Sequence, residues 1–91
     1  MILKMFSILD TKAKAYMTPQ FHMTADVAIR DFTERANDGQ SMISRYPEDF
    51  ALFEIGEFNA LKGEMNPLPT PHSLGNAVSY KRSQTQLSAV Q

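Results

Sequence analysis

"PEDFALFEIGEF", residues 47–58, sets Glu48, Asp49, Glu54 and Glu57 among Phe50, Phe53 and Phe58 and places Gly56 inside the run. Aromatic and branched side chains suit a pleated, half-buried surface. Alternation turns Glu54 away from Phe53 and Ile55, so the stretch reads as a strand with its acids facing water. A glycine inside such a pattern marks a bulge or a close backbone approach, and one extra residue there returns Phe58 to the core side. "NALKG" at 59–63 supplies a turn, and "EMNPL" at 64–68 returns as a short partner strand, giving a hairpin.

Downstream, "NPLPTPH" at 66–72 holds three prolines. Proline lacks the N–H that a central strand needs, so this segment is expected as an extended, stiff connector. "SLGNAVSYKR" at 73–82 is compatible with a short helix from Ser73 or with a last strand through Ala77, Val78 and Tyr80, and so few residues leave both open. From residue 81 onward the chain is polar and unpatterned, which reads as a mobile, disordered tail over 81–91.

Upstream, residues 2–9 form a strand through Ile2, Leu3, Phe6, Ile8 and Leu9. "DTKAK" turns the chain into a second extended piece, "AYMTPQF", where Pro19 points to an edge or an end. Thr24 is placed to cap a helix whose apolar positions Ala25, Ala28, Ile29, Phe32 and Ala36 fall on one face. Asp26, Arg30, Asp31, Glu34 and Arg35 occupy the other. "NDG" at 37–39 stops the helix, with Gly39 available for the left-handed cap conformation. The expected fold class is therefore α+β. A small antiparallel sheet built from two β-hairpins carries one amphipathic helix on one face, as a single domain over residues 1–80.

Composition limits the function classes. At 91 residues the chain suffices for one domain with a thin core. It has no cysteine, which removes disulfides, thiolate zinc sites and cysteine nucleophiles together. The N-terminal "MILKMFSILD" has too short an apolar run for a signal peptide and contains Lys4, and nothing approaches a membrane-spanning length. A soluble, cytoplasmic protein is expected. His22 and His72 stand alone, without metal-ligand spacing, so no metal or cofactor is expected. Glycine-rich phosphate loops and nucleophile elbows are missing, and paired carboxylates need a pocket that so small a domain struggles to enclose. No catalytic residue is assigned.

Charge is nearly balanced at −1 but segregated along the chain: residues 1–22 carry +2, residues 23–64 carry −5, and Lys81 with Arg82 supply the +2 that remains. If the ends converge, a basic face stands opposite an acidic one. Aromatics interleave with these cations, Phe6, Tyr16 and Phe21 near Lys4, Lys12 and Lys14, and Tyr80 beside Lys81 and Arg82. Rings for stacking and cations for phosphate are the parts of a single-stranded nucleic acid surface. The same rings also suit a core. Glu48, Asp49, Glu54 and Glu57 form the alternative site, a docking surface for a basic protein partner. Six methionines add adaptable apolar surface suited to a core or to self-association.

The segments "LKMFSILDTKAKAYMTPQF", "TADVAIRDFTERAND", "YPEDFALFEIGEFNALKGEM" and "SLGNAV" closely resemble the small nonstructural protein of gokushovirus-type Microviridae, tailless phages with circular single-stranded DNA genomes. The likeness runs over residues 2–80 and is most specific in "MFSILDTKAKAY" and "YPEDFALFEIGEFN". It implies a nonstructural protein of the host cytoplasm that binds DNA or assists genome replication and the shift toward single-stranded DNA for packaging. It brings no catalytic or ligand residues with it. A net charge of −1 is low for a protein that coats DNA alone, so a homo-oligomer is expected, one that multiplies weak phosphate contacts. The phage replication initiator or a host replication protein is the partner expected for the docking alternative.

Overall fold

The computed structural model describes residues 1–82; the part of the expected tail beyond Arg82 lies outside the described residues. Five strands form one antiparallel sheet: β1 (Ile2–Asp10), β2 (Ala15–Tyr16), β3 (Gln20–His22), β4 (Phe50–Asn59) and β5 (Glu64–Asn76). Their order is β2-β1-β4-β5, with β3 also pairing β1 beyond the end of β2. The main helix α1 (Ala25–Ala36) and the one-turn helix α2 (Met42–Arg45) connect β3 to β4.

Helix α1 forms where the apolar spacing places it. Thr24 caps it through its side-chain oxygen, which accepts from the Val27 N–H, and Ala28, Phe32 and Ala36 are buried. They meet Phe6 and Ile8 of β1, Phe50 and Leu52 of β4, Ile43 and Ala77, with Phe6 and Phe32 almost fully enclosed. Burying a phenylalanine of this kind stabilises by about 1.5–3 kcal/mol.

The structure departs from the sequence reading in several places. The second extended piece breaks into β2 and β3, because Pro19 cannot donate to a ladder. The Ser7 hydroxyl and the Ile8 carbonyl bind the Met17 backbone across that break instead. The proline-rich connector is part of β5, which runs 13 residues along the edge of the sheet. Its pairing with β4 slips between Glu54↔His72 and Gly56↔Pro67, so residues 68–71 are left over opposite Ile55. Residues 73–80 take neither expected form: Ser73–Asn76 end β5 where the helix option began, and Ala77, Val78 and Tyr80 lie in a closing 3-10 turn rather than a strand.

Helix α1 ends at Asn37, and Gly39 takes its positive φ of 76° two residues later, in the turn that leads into α2. That turn is closed by side chains. Asp38 accepts from the Gln40 and Ser41 N–H groups, Ser41 caps α2 at Ser44, and the Ser44 hydroxyl accepts from Gly39. The backbone N–H groups of Ser41 and Gln40 hold the Asp38 carboxyl below its ordinary value.

The expected bulge in β4 is present and has a different consequence. Met5 pairs with Gly56 and Phe6 with Glu54, which leaves Ile55 as the extra residue and puts Phe58 on the same side as Phe53. That side is not the helix-covered core, which draws on Phe50 and Leu52. Alternation creates two faces, and α1 covers the one sequence reading assigned to Glu54.

Candidate functional site

Pairing register sorts the strand residues onto two faces, because directly opposed residues in an antiparallel pair point the same way. On the helix side lie Lys4, Phe6, Ile8 and Asp10 of β1, opposed by Glu57, Glu54, Leu52 and Phe50 of β4. On the side away from α1 lie Leu3, Met5, Ser7 and Leu9, opposed by Phe58, Gly56, Phe53 and Ala51. Tyr16 pairs with Leu9 and Phe21 with Met5, which brings both rings to this open face. Tyr16 stands edge-on to Phe53 with ring centroids 5.6 Å apart, and Phe21 tilts against Phe58 at 5.5 Å.

Beneath these rings the floor is thin. Met5, Ser7 and Ala51 are buried although no helix covers them, and Gly56 contributes no side chain. A methyl group at Gly56 would stand 2.6 Å from the Met5 Cε and 2.7 Å from the Asn66 carbonyl oxygen, so the site accepts only glycine without displacement. Tyr16 and Phe21 remain more than two-fifths exposed and Met65, opposite Phe58, still more.

The sequence-derived cations go to different surroundings. Lys12 and Lys14 stand exposed in the turn between β1 and β2, which is closed by the Asp10 carboxylate accepting from the Lys12 and Ala13 N–H groups. Lys14 has a φ of 58°, and neither lysine enters an ion pair among the described residues. Lys4 lies on the helix side with its amine 3.7 Å from Glu54. Lys81 donates to the Ser44 carbonyl and hydroxyl, and Arg82 lies 3.7 Å from Glu34. Tyr80 packs edge-on against Phe32 and donates its hydroxyl to the Leu74 carbonyl.

The two groups of cations reach the same end of the sheet. Thr11 hydrogen-bonds the Asp49 carbonyl next to the lysine turn, and Asn76 bonds the Glu48 carbonyl just before the last 3-10 turn. At that end Lys81 and Arg82 are tied into the helix layer, whereas Lys12 and Lys14 stand in the exposed turn that leads to Tyr16 of β2.

The acidic residues divide. Glu48 and Asp49 form a 3-10 turn before β4, and Phe50, Ala51, Leu52 and Phe53 separate them from Glu54. Glu54 is half-buried beside Lys4, and Glu57 is exposed beyond the bulge. A cavity of about 330 Å³ between α1 and β1 is lined in part by Phe6, Phe32, Gln20, Asp31 and Arg35. Its charges already neutralise one another, with Arg35 3.4 Å from Asp31. Among the described residues no group of three His, Cys, Asp or Glu side chains gathers to hold a metal ion, and no helix is long and apolar enough to cross a membrane.

Phe53 and Phe58, expected on the core side, belong to the open face. The signal was there in the five-residue spacing across Gly56, which only a bulge converts into one face. Asn37 was likewise read as a helix stop alone. Its amide donates to the Thr33 and Tyr80 carbonyls and accepts from the Arg82 N–H, fastening the end of the described chain to α1.

A mixed α/β domain with helices on one face of an antiparallel sheet, and an aromatic face left open on the other, is the class the geometry defines. Residues 3–80 match the family model described as Phage ORF5 protein, and the chain belongs to that family. No curated protein and no solved structure matches it.

Proposed function

We propose that this phage protein binds single-stranded DNA in the host cytoplasm without catalysing a reaction, and thereby assists viral genome replication or the switch to single-stranded DNA synthesis and packaging. The observation that carries the reading is the turn holding Lys12 and Lys14, exposed, without ion-pair partners among the described residues and adjacent to the exposed Tyr16. A cation free of a carboxylate can release a DNA counterion at little cost, whereas Lys4 and Arg82 must first give up Glu54 and Glu34. The resemblance to gokushovirus nonstructural proteins supports the same context.

Each phosphate neutralised on a single strand contributes about 0.7 to the salt dependence of binding, so two free lysines per copy give modest, salt-sensitive affinity. Assembly into a homo-oligomer multiplies those contacts, and it belongs to the proposal for that reason.

The test is a titration of the purified protein against single- and double-stranded DNA at two salt concentrations. Preferential binding of the single strand, weakening as salt rises and falling at least about tenfold in the Lys12→Glu, Lys14→Glu double variant, is the expected result. Equal affinity of the double variant would remove the lysine turn from the site. The second reading, an adaptor for the phage replication initiator or a host replication protein, is favoured by the exposure of Glu48 and Glu57. It predicts that these reversals leave partner capture intact while Glu54→Lys with Glu57→Lys abolishes it.

A further inference from the structure

We infer that the open sheet face is a base-stacking platform with two subsites, Tyr16 with Phe53 and Phe21 with Phe58, for a single strand running along β1. This rests on the proposed single-strand binding and names the surface that takes the bases. Three observations converge on it.

Charge is sorted by face. The strand carboxylates Asp10, Glu54, Glu57 and Glu64 all register on the helix side, and no strand position on the open face carries a charge. Cations stand at both ends of that uncharged strip: Lys12 and Lys14 beyond the Tyr16 end, and Lys62 in the turn at 60–63 that follows Phe58. An apolar strip with lysines at its ends and no acid along it complements a ligand with flat apolar groups and a polyanionic backbone. Single-stranded nucleic acid has that chemistry.

The rings are supported yet exposed. Each pair meets at an angle, 78° in one and 59° in the other, so the two rings of a pair do not cover each other's faces. Along β1 the pairs are set by Leu9 and Met5, four residues apart, which is about 13 Å at strand rise. Two stacked bases separated by a short run of backbone fit that interval; a duplex, whose bases stack on each other, does not offer them.

Competing use of the sheet is restricted at its long edge. Pro67, Pro69 and Pro71 on β5 have no N–H to offer an added strand, which disfavours lengthening of the sheet by a second chain there. The faces remain, and α1 occupies one.

The experiment compares two fluorescein-labelled strands of equal length with the full-length protein, an oligothymidylate and an abasic oligodeoxynucleotide that keeps every phosphate and lacks every base. Oligothymidylate is expected to bind at least about tenfold more tightly at the same salt, since base–aromatic stacking is worth that much or more. Tyr16→Ala and Phe21→Ala should each remove about tenfold of the oligothymidylate affinity and leave the abasic affinity unchanged, with Tyr16→Phe close to the unsubstituted protein. Equal affinities for the two strands, or variants that weaken both alike, overturn the stacking platform while leaving the phosphate contacts in place. Failure of both strands to bind removes the underlying reading itself. Should the alanine variants split a dimer without altering DNA affinity, the face belongs to a second copy of the chain, and the inference falls. If either variant does not fold, the thymine methyl resonances reporting on the unsubstituted protein decide: an upfield ring-current shift supports the platform, and unchanged resonances contradict it.

Discussion

At Gly56 the absence of one methyl group lets two backbones and the Met5 side chain meet. A Cβ there would approach the Asn66 carbonyl oxygen at 2.7 Å and the Pro67 Cα at 3.0 Å, both main-chain atoms that cannot swing aside. Gly56→Ala is expected to destabilise the fold by about 1–3 kcal/mol, read as a lower urea midpoint at unchanged slope. An unchanged midpoint would show that β4 and β5 do not approach so closely. Sequence alone flagged this glycine because it broke an alternating pattern. The identity of the atoms it accommodates was not legible, since Met5 reaches it only through pairing with the distant β1 and Asn66 only through the register of the β4–β5 hairpin.

Among the elements, α1 was the most legible, because its period and its Thr24 cap are both local. Strands β1 and β4 were legible for the same reason, each recognisable from its own residues. The break between β2 and β3, the length of β5 and the small helix α2 were not. None announces itself by period or propensity: β5 extends through three prolines because an edge strand needs hydrogen bonds on one side only, and α2 is a single turn fixed by the side chains of Asp38, Ser41 and Ser44. Which face of the sheet the helix covers was equally hidden, since alternation distinguishes two faces without ranking them. That single ambiguity moved Phe53 and Phe58 from the expected core to the open side. Asn37 links elements in a way no local pattern announces, holding Tyr80 and Arg82 to the end of α1. Asn37→Ala should cost about 1–2 kcal/mol in thermal or chemical unfolding, with faster amide exchange at Tyr80–Arg82. Unchanged exchange there would mean that the Phe32–Tyr80 contact alone retains the segment.

For the whole molecule, one-sided coverage of the sheet explains how a chain of net charge −1 can present a surface suited to an anion. The strand carboxylates and the helices share one side, the paired rings occupy the other, and Lys12, Lys14 and Lys62 stand in turns at the two ends of that ringed strip. Of the sequence-derived cations, Lys12 and Lys14 stand exposed in the turn that leads to Tyr16, while Lys81 and Arg82 are bonded into the helix layer. The methionines provide natural reporters for this division, with Met5 and Met65 registered on the open face and Met42 in α2 on the helix side. The most direct test is a methyl-labelled methionine NMR titration of the unsubstituted protein with oligothymidylate. The Met5 and Met65 methyl signals are expected to move with the bound fraction while Met42 stays fixed. Movement at Met42 with Met5 and Met65 unchanged would place the ligand on the helix side and contradict it.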